Sequence, residues 1–410
     1  MTDPSWRQLT LAVSLSGVGS HPAARLAADS LTPATWQHWT SAIAETERGG
    51  LELVTLADGP PQRASGRATD GQRNGNASDG QRNGDRPQHR AADGDDAARL
   101  PWLDPTLIAC RAAPVSVAVG LVPEIPTVTT EPFLVSTQLA TLDHVSRGRA
   151  GWSVIVSEQK SGGEYVGPRS VPPVADRYAE AAEHIEAVRR LWDSWEDDAE
   201  IRDAPANRFV DRERLHHIDY AGRWLSVKGP SITPRPPQGQ PIVAITLRGQ
   251  PSLQLAAAHA DVAFVAAGPD LLDTTRRLAD AVAAAGREPE QVVVLADLGV
   301  VLSDDEGAAT DRAARLDAAA PRDDTGDPPA FAGTPAALAQ HMLQLAGHGV
   351  HGFRLHPAVI GEDLPLIARR LTEELQARGA RHAGGGRLLS LRARLGLDPH
   401  PANRYAAGAR

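Results

Sequence analysis

Residues 115–157 read VSVAVGLVPEIPTVTTEPFLVSTQLATLDHVSRGRAGWSVIVS. The stretch opens on the apolar run Val115–Val122, crosses proline-punctuated residues, enters a helix predicted over Glu131–Val145, and returns to a second apolar run at Gly151–Ser157. Both runs are rich in Val and Ile, as strands buried on both faces of a parallel sheet are. Two such strands joined by a helix make a βαβ unit, and parallel α/β folds are built from that unit.

Working outward, the alternation recurs in both directions. Leu9–Leu15 and Leu51–Asp58 read as strands, with a helix between them from about Pro33 to Arg48 capped by Thr32. Leu107–Ala112 reads as a short helix. On the C-terminal side, Asp176–Trp192 carries Tyr178, Ala181, Ile185, Val188 and Trp192 at the spacing of one helical face. Four more strands are predicted at Pro241–Thr246, Asp261–Ala267, Gln291–Leu302 and His351–His356, with helical stretches between them and a final amphipathic helix at Leu364–Arg378. Eight strands, each followed by helix, predict an α/β fold closed into a (β/α)8 TIM barrel with loop insertions. An open doubly wound sheet is the alternative. It is disfavoured because no GxGxxG turn follows the first strand.

The expected organisation is one barrel domain over residues 1–397 with two interruptions. Residues 60–99 are polar and carry DGQRNG at Asp70 and again at Asp79, a composition that cannot offset the entropy of ordering, so a disordered insertion is expected. Residues 195–240 end in TPRPPQGQP and read as an ordered insertion, and residues 398–410 as a tail. The formal charge of −9 argues against a nucleic-acid partner, which requires clustered Lys and Arg. Cys110 is the single cysteine, so no intrachain disulfide is possible, and its apolar setting reads as a structural thiol. No secretion signal or membrane-spanning run is seen, and a cytoplasmic location is expected. No HExxH, HxxxH or CxxC occurs, so no metal site is predicted.

A barrel of this kind keeps its chemistry at the carboxyl ends of its strands. That rule nominates Asp58, Glu124, Ser157 to Gln159, Thr246 to Gly249, Asp297 and His356. Arg248 beside Gly249, at the entrance to a helix expected near Pro251, combines a guanidinium with helix N-terminal amides and suits a phosphate. Asp58 precedes Gly-Pro and shapes a turn equally well, Glu124 reads equally as a solvated loop acid, and His356 as a loop residue with a backbone partner. The sequence singles out no catalytic side chain.

Several phrases are similar to those of one family. They are LADG (Leu56–Gly59), Glu131–Ser157 as quoted, RYAEAAEHIEAVRRLWDSWEDDA (Arg177–Ala199), HHIDYAGRWLSVKGPSITPRPPQGQP (His216–Pro241) and LAAAHADVAF (Leu255–Phe264). In this order they resemble the nitrilotriacetate monooxygenase subfamily of the bacterial-luciferase-like flavin monooxygenases, which also holds pristinamycin synthase-type and dibenzothiophene-sulfone enzymes. The resemblance implies a luciferase-like barrel and reduced FMN supplied by a separate flavin reductase. It also implies O2-dependent oxygenation of a small organic substrate, and a homodimer. It carries the family's flavin contacts onto Asp58 and Tyr178, onto Glu124 in place of Thr, and onto Ser153 in place of Asn. The family's phosphate turn Q-A-G-S reads Ile245-Thr246-Leu247-Arg248 here, and its histidine falls on Val174. The expected cofactor-binding set is therefore Asp58, Glu124, Ser157, Tyr178, Arg248 and Gly249. The departures leave two alternatives: a non-catalytic luciferase-like barrel with a degenerate flavin pocket, and an oxidoreductase using F420.

Overall fold

The structure, a computed structural model, describes residues 8–24, 34–57, 103–156, 172–322, 328–382 and 389–406. The expected disordered insertion at 60–99, Thr32, Asp58 and Ser157 to Gln159 lie outside the described residues.

In chain order the strands are β1 (Thr10–Leu15), β2 (Leu53–Leu56), β3 (Gly120–Pro126) and β4 (Gly151–Ile155). The hairpins β5 (Glu200–Asp203) with β6 (Arg208–Val210) and β7 (Tyr220–Ala221) with β8 (Ser226–Val227) follow. Then come β9 (Ile242–Thr246), β10 (Val262–Ala266), β11 (Val293–Leu302), β12 (Ala330–Gly333) and β13 (Gly352–Pro357). The helices are α1 (Trp36–Arg48), α2 (Pro105–Ala112), α3 (Pro132–Ser146), α4 (Val174–Asp193), α5 (Gln250–His259), α6 (Leu271–Ala284), α7 (Glu306–Ala319) and α8 (Pro335–Ala346). After β13, α9 (Ile360–Pro365) runs through π-helical turns at Leu366–Leu371 into α10 (Thr372–Ala377), and α11 (Leu391–Arg394) stands near the C-terminus.

The strands β1-β2-β3-β4-β9-β10-β11-β13 pair in parallel in that order, and β13 pairs back to β1, closing the ring. The expected eight-stranded (β/α)8 barrel is the fold. Because side chains alternate along a strand, one set points out and one in. Leu11, Val13, Leu15, Val54, Leu56, Trp152 and Phe353 face the helices in one apolar shell. Ala12, Leu53, Val122, Ile242, Ala244, Val262, Phe264, Val293 and Leu295 fill the interior with Leu391, Leu395 and Leu397, so the C-terminal segment around α11 closes the barrel at the amino ends of its strands.

Three local readings of the sequence are corrected. The third strand runs Gly120–Pro126, not Val115–Val122. Val115 and Val117 are exposed, and the Glu47 carboxylate accepts hydrogen bonds from the amides of Val117, Ala118 and Val119, which satisfies them without a strand neighbour. Glu124 therefore lies within β3, paired with Ser153, rather than in a loop after it. Pro126 is tolerated because its nitrogen falls on the β2 side, past the last β2 partner at Leu56, while on the β4 side Thr127 N goes on to donate to Ile155 O. The first helix begins at Trp36, with Thr35 at its N-cap. Finally, β12 extends the sheet as a ninth strand against the overhanging end of the ten-residue β11, at Gly299–Leu302.

Residues 195–240 are ordered in two hairpins and a loop held by Arg235, which is buried and bound to Asp193 and Asp197. Residues 398–406 pack against the same region: Asn403 donates to the carbonyls of Asp193 and Trp195, and Arg404 pairs with Asp193 and Glu186.

Candidate active site at the carboxyl-terminal mouth of the barrel

The pairing registers stagger the strands so that each interior level is furnished by alternate strands. Thr55 of β2, Ser153 of β4, Phe264 of β10 and Arg354 of β13 share one level; Ser14, Glu124, Thr246 and Asp297 form the level above it, toward the carboxyl ends. His356 stands one step higher on β13. Below Phe264 the interior is apolar; polar side chains enter at this level and fill the next.

The polar levels are held by one ion pair. Arg354 Nε and Nη2 donate to Asp297 Oδ1 and Oδ2 at 2.6 and 2.7 Å, a two-point fork between buried side chains. Nη2 also reaches Thr246 Oγ1 at 3.2 Å, and His356 Nε2 lies 3.1 Å from Asp297 Oδ1. The guanidinium carbon sits 3.5 Å from the centroid of the Phe264 ring, so a cation–π contact within the level supports the charge. Burial alone would push the Asp297 carboxyl up; Arg354 and His356 outweigh it and hold its pKa at about 2.

Three polar atoms of the lower level stay unsatisfied among the described residues: Thr55 Oγ1, Ser153 Oγ and Arg354 Nη1. An unmet buried polar group costs roughly 1–3 kcal/mol, so three on one level mark a place that a bound group can complete. The arrangement fits a flavin ring, whose carbonyl oxygens need donors.

Arg248 and Gly249, the residues expected to meet a phosphate, stand on the β9–α5 turn. Gly249 adopts φ 147° and ψ −169°, a backbone that glycine takes without strain, and no atom lies near enough to bar a side chain, so conformation rather than space demands it. The first turn of α5 has no side-chain cap. Leu247 N is spent on Phe264 O and Arg248 N on Ser252 Oγ at 2.7 Å. A phosphate there would meet the exposed Arg248 side chain and the opening of α5 rather than those two amides. A cleft of about 240 Å³ adjoins this turn, lined by Leu247, Gly249, Leu253, Gly268, Asp270 and Arg277 among others.

Of the sequence-nominated residues, Glu124, Thr246, Asp297 and His356 come together on the interior levels, and Arg248 and Gly249 stand on the rim. Tyr178 lies buried in the first turns of α4, and Val174 opens that helix. Sequence reasoning missed Arg354 and Thr55. The signal for Arg354 was present: a charged residue inside the apolar run HGFRLH, two positions from His356 and so on the same face.

A model of the luciferase-like monooxygenase family matches residues 88–382. The chain belongs to the luciferase-like monooxygenase family. Among its relatives, N-acetyl-S-(2-succino)cysteine monooxygenase of Bacillus subtilis is 30% identical over 74% of the chain and 63% of the relative. Nitrilotriacetate monooxygenase component A of Aminobacter aminovorans is 33% identical over 67% of the chain and 57% of the relative. The matched stretches thus span about six-tenths of those relatives' lengths. A structure of riboflavin lyase with modified FMN and substrate riboflavin has a TM-score of 0.77 at 22% identity, covering 96% of this chain and 98% of the other. It shares the luciferase-like barrel. Among the described residues no helix is long and apolar enough to cross a membrane, and no His, Cys, Asp and Glu cluster is arranged to hold a metal.

Proposed function

We propose that the chain is the oxygenating component of a two-component flavin monooxygenase. It takes reduced FMN from a separate flavin reductase, uses O2, and oxygenates a small organic molecule. Membership of the luciferase-like family supports the class. The observation that carries the reading is the polar level at Thr55, Ser153 and Arg354, where the interior of a closed barrel holds three buried polar atoms left unsatisfied among the described residues.

Bound reduced flavin supplies the electrons that activate O2. The chain's own part is to bind, orient and exclude water. Thr55, Ser153 and Arg354 offer hydrogen bonds to the ring, and Arg248, Gly249 and the start of α5 hold the phosphate; Asp58 and Ser157 stay in the proposed cofactor-binding set on the sequence resemblance alone. Tyr178 and Glu124 are proposed to border the ring. Asp297 fixes the Arg354 rotamer and is a positioning residue. The strand-end loops and residues 195–240 would set substrate choice.

Anaerobic titration of the purified protein with FMN, reduced FMN and F420 tests the reading. Reduced FMN is expected to bind with micromolar affinity or better, and Arg248→Ala to weaken it about ten-fold, the value of one charge-assisted contact. Absence of binding by either form of FMN overturns the proposal, and binding of F420 alone moves the chain to the deazaflavin class.

A further inference from the structure

The Asp297 fork uses Nε and Nη2 of Arg354 and leaves Nη1 as the one guanidinium nitrogen with no partner among the described residues. That nitrogen shares its level with the unsatisfied hydroxyls of Thr55 and Ser153, and Arg354 itself is 3% exposed. A surface arginine would find water; this one is held under the barrel mouth by an acid, a threonine and an aromatic face, with one donor pair unspent. Glu124 stands on the level above, paired in register with Ser153. A guanidinium nitrogen and two hydroxyls left unsatisfied on one level suit the carbonyl oxygens along the edge of an isoalloxazine ring. The interior of an eight-stranded barrel is only wide enough for side chains, so an edge of the ring enters and the rest stays at the mouth.

Resting on the flavin reading above, we propose that Arg354 is a redox-state selector: its Nη1, with the Thr55 and Ser153 hydroxyls, takes the carbonyl edge of the isoalloxazine and favours the reduced ring over the oxidised one. The oxidised ring is neutral. The reduced ring carries negative charge along N1 and C2=O once N1 loses its proton, and a guanidinium donor is stronger toward a charged acceptor.

The test is anaerobic titration of substrate-free protein with oxidised and reduced FMN and with riboflavin, which lacks the phosphate. Wild type is expected to hold the reduced forms at least ten-fold more tightly than the oxidised forms, with or without the phosphate. Arg354→Met should abolish most of that ratio. Should Arg354→Met fail to fold because Asp297 is left unpaired, the double variant Arg354→Met/Asp297→Leu removes both charges and serves instead. Thr55→Val and Ser153→Ala should weaken both redox forms about three- to ten-fold while raising the melting temperature of the flavin-free protein, because each removes an unsatisfied buried hydroxyl. Wild-type affinities and ratios in the folded variants overturn the selector and leave the flavin reading standing. A wild type that binds no flavin overturns both.

Discussion

Asp297 shows how far one side chain depends on its neighbours. It is buried, yet its carboxyl titrates at about 2 because Arg354 and His356 face it. Against an unfolded value near 3.9, the depressed folded pKa contributes about 2–3 kcal/mol that is present above roughly pH 4 and lost as pH falls through about 2. Removing the acid is worse than protonating it, because Arg354 is then left charged and buried. Asp297→Asn should lower stability by about 3–5 kcal/mol, the cost of breaking a buried pair, read as a shift in the urea midpoint at neutral pH. A shift under about 1 kcal/mol, the ceiling for a surface pair, would mean that solvent already reaches the fork.

At the scale of elements, the short α11 does more than its four residues suggest. Leu391 projects into the barrel floor, where a side chain at Gly120 would collide with it at 2.7 Å. Its backbone is tied in from both sides: Leu391 N donates to Gly148 O, and Arg392 N to Gln238 Oε1. Gln238 in turn donates to both oxygens of Asp143 and to Ala150 O. The sequence blocks that carry the family resemblance, around Asp143 and around Gln238, thus meet at one knot beneath the barrel. Leu391→Ala should cost about 2–5 kcal/mol, as for other buried leucines, measured by chemical denaturation; an unchanged midpoint would show the floor to be closed without it. The eight barrel strands were legible because each is a compact apolar run between turn signals. What misled at Val115–Val119 was that an apolar run can be held by a distant acid, Glu47, instead of a neighbouring strand. β12 escaped because AFAG carries almost no strand signal and exists only to pair with the overhang of β11. The candidate site was half legible: strand ends gave Glu124, Asp297 and His356, but Arg354 and Thr55 become neighbours only through the stagger of the ring, which no local pattern encodes.

For the whole molecule, the response to acid is a difference between buried groups that pull in opposite directions. Burial pulls His184 down to about 4, despite a hydrogen bond to the Thr127 backbone that raises it. Its folded pKa lies below the unfolded 6.5, so its contribution is full above pH 6.5 and is lost as pH falls toward 4, by about 3 kcal/mol. Asp143 does the reverse: burial raises it to about 6, against the hydrogen bonds from Gln238 and Ala150 that lower it. The native state therefore takes up that proton before the unfolded chain does, and stability from this group rises as pH falls from about 6 to about 4. The two nearly cancel in wild type, which hides both. Single variants separate them. With His184→Leu, stability relative to wild type should improve on going from pH 7 to pH 4 by about 3 kcal/mol, because the penalty for charging a ring packed 5.5 Å from Trp152 is gone. With Asp143→Asn, the change over the same range should have the opposite sign. Urea midpoints at pH 7, 5.5 and 4 for the three proteins decide the matter: parallel curves would mean that neither group keeps its shifted pKa in the folded chain, and that the acid response resides in the surface carboxylates.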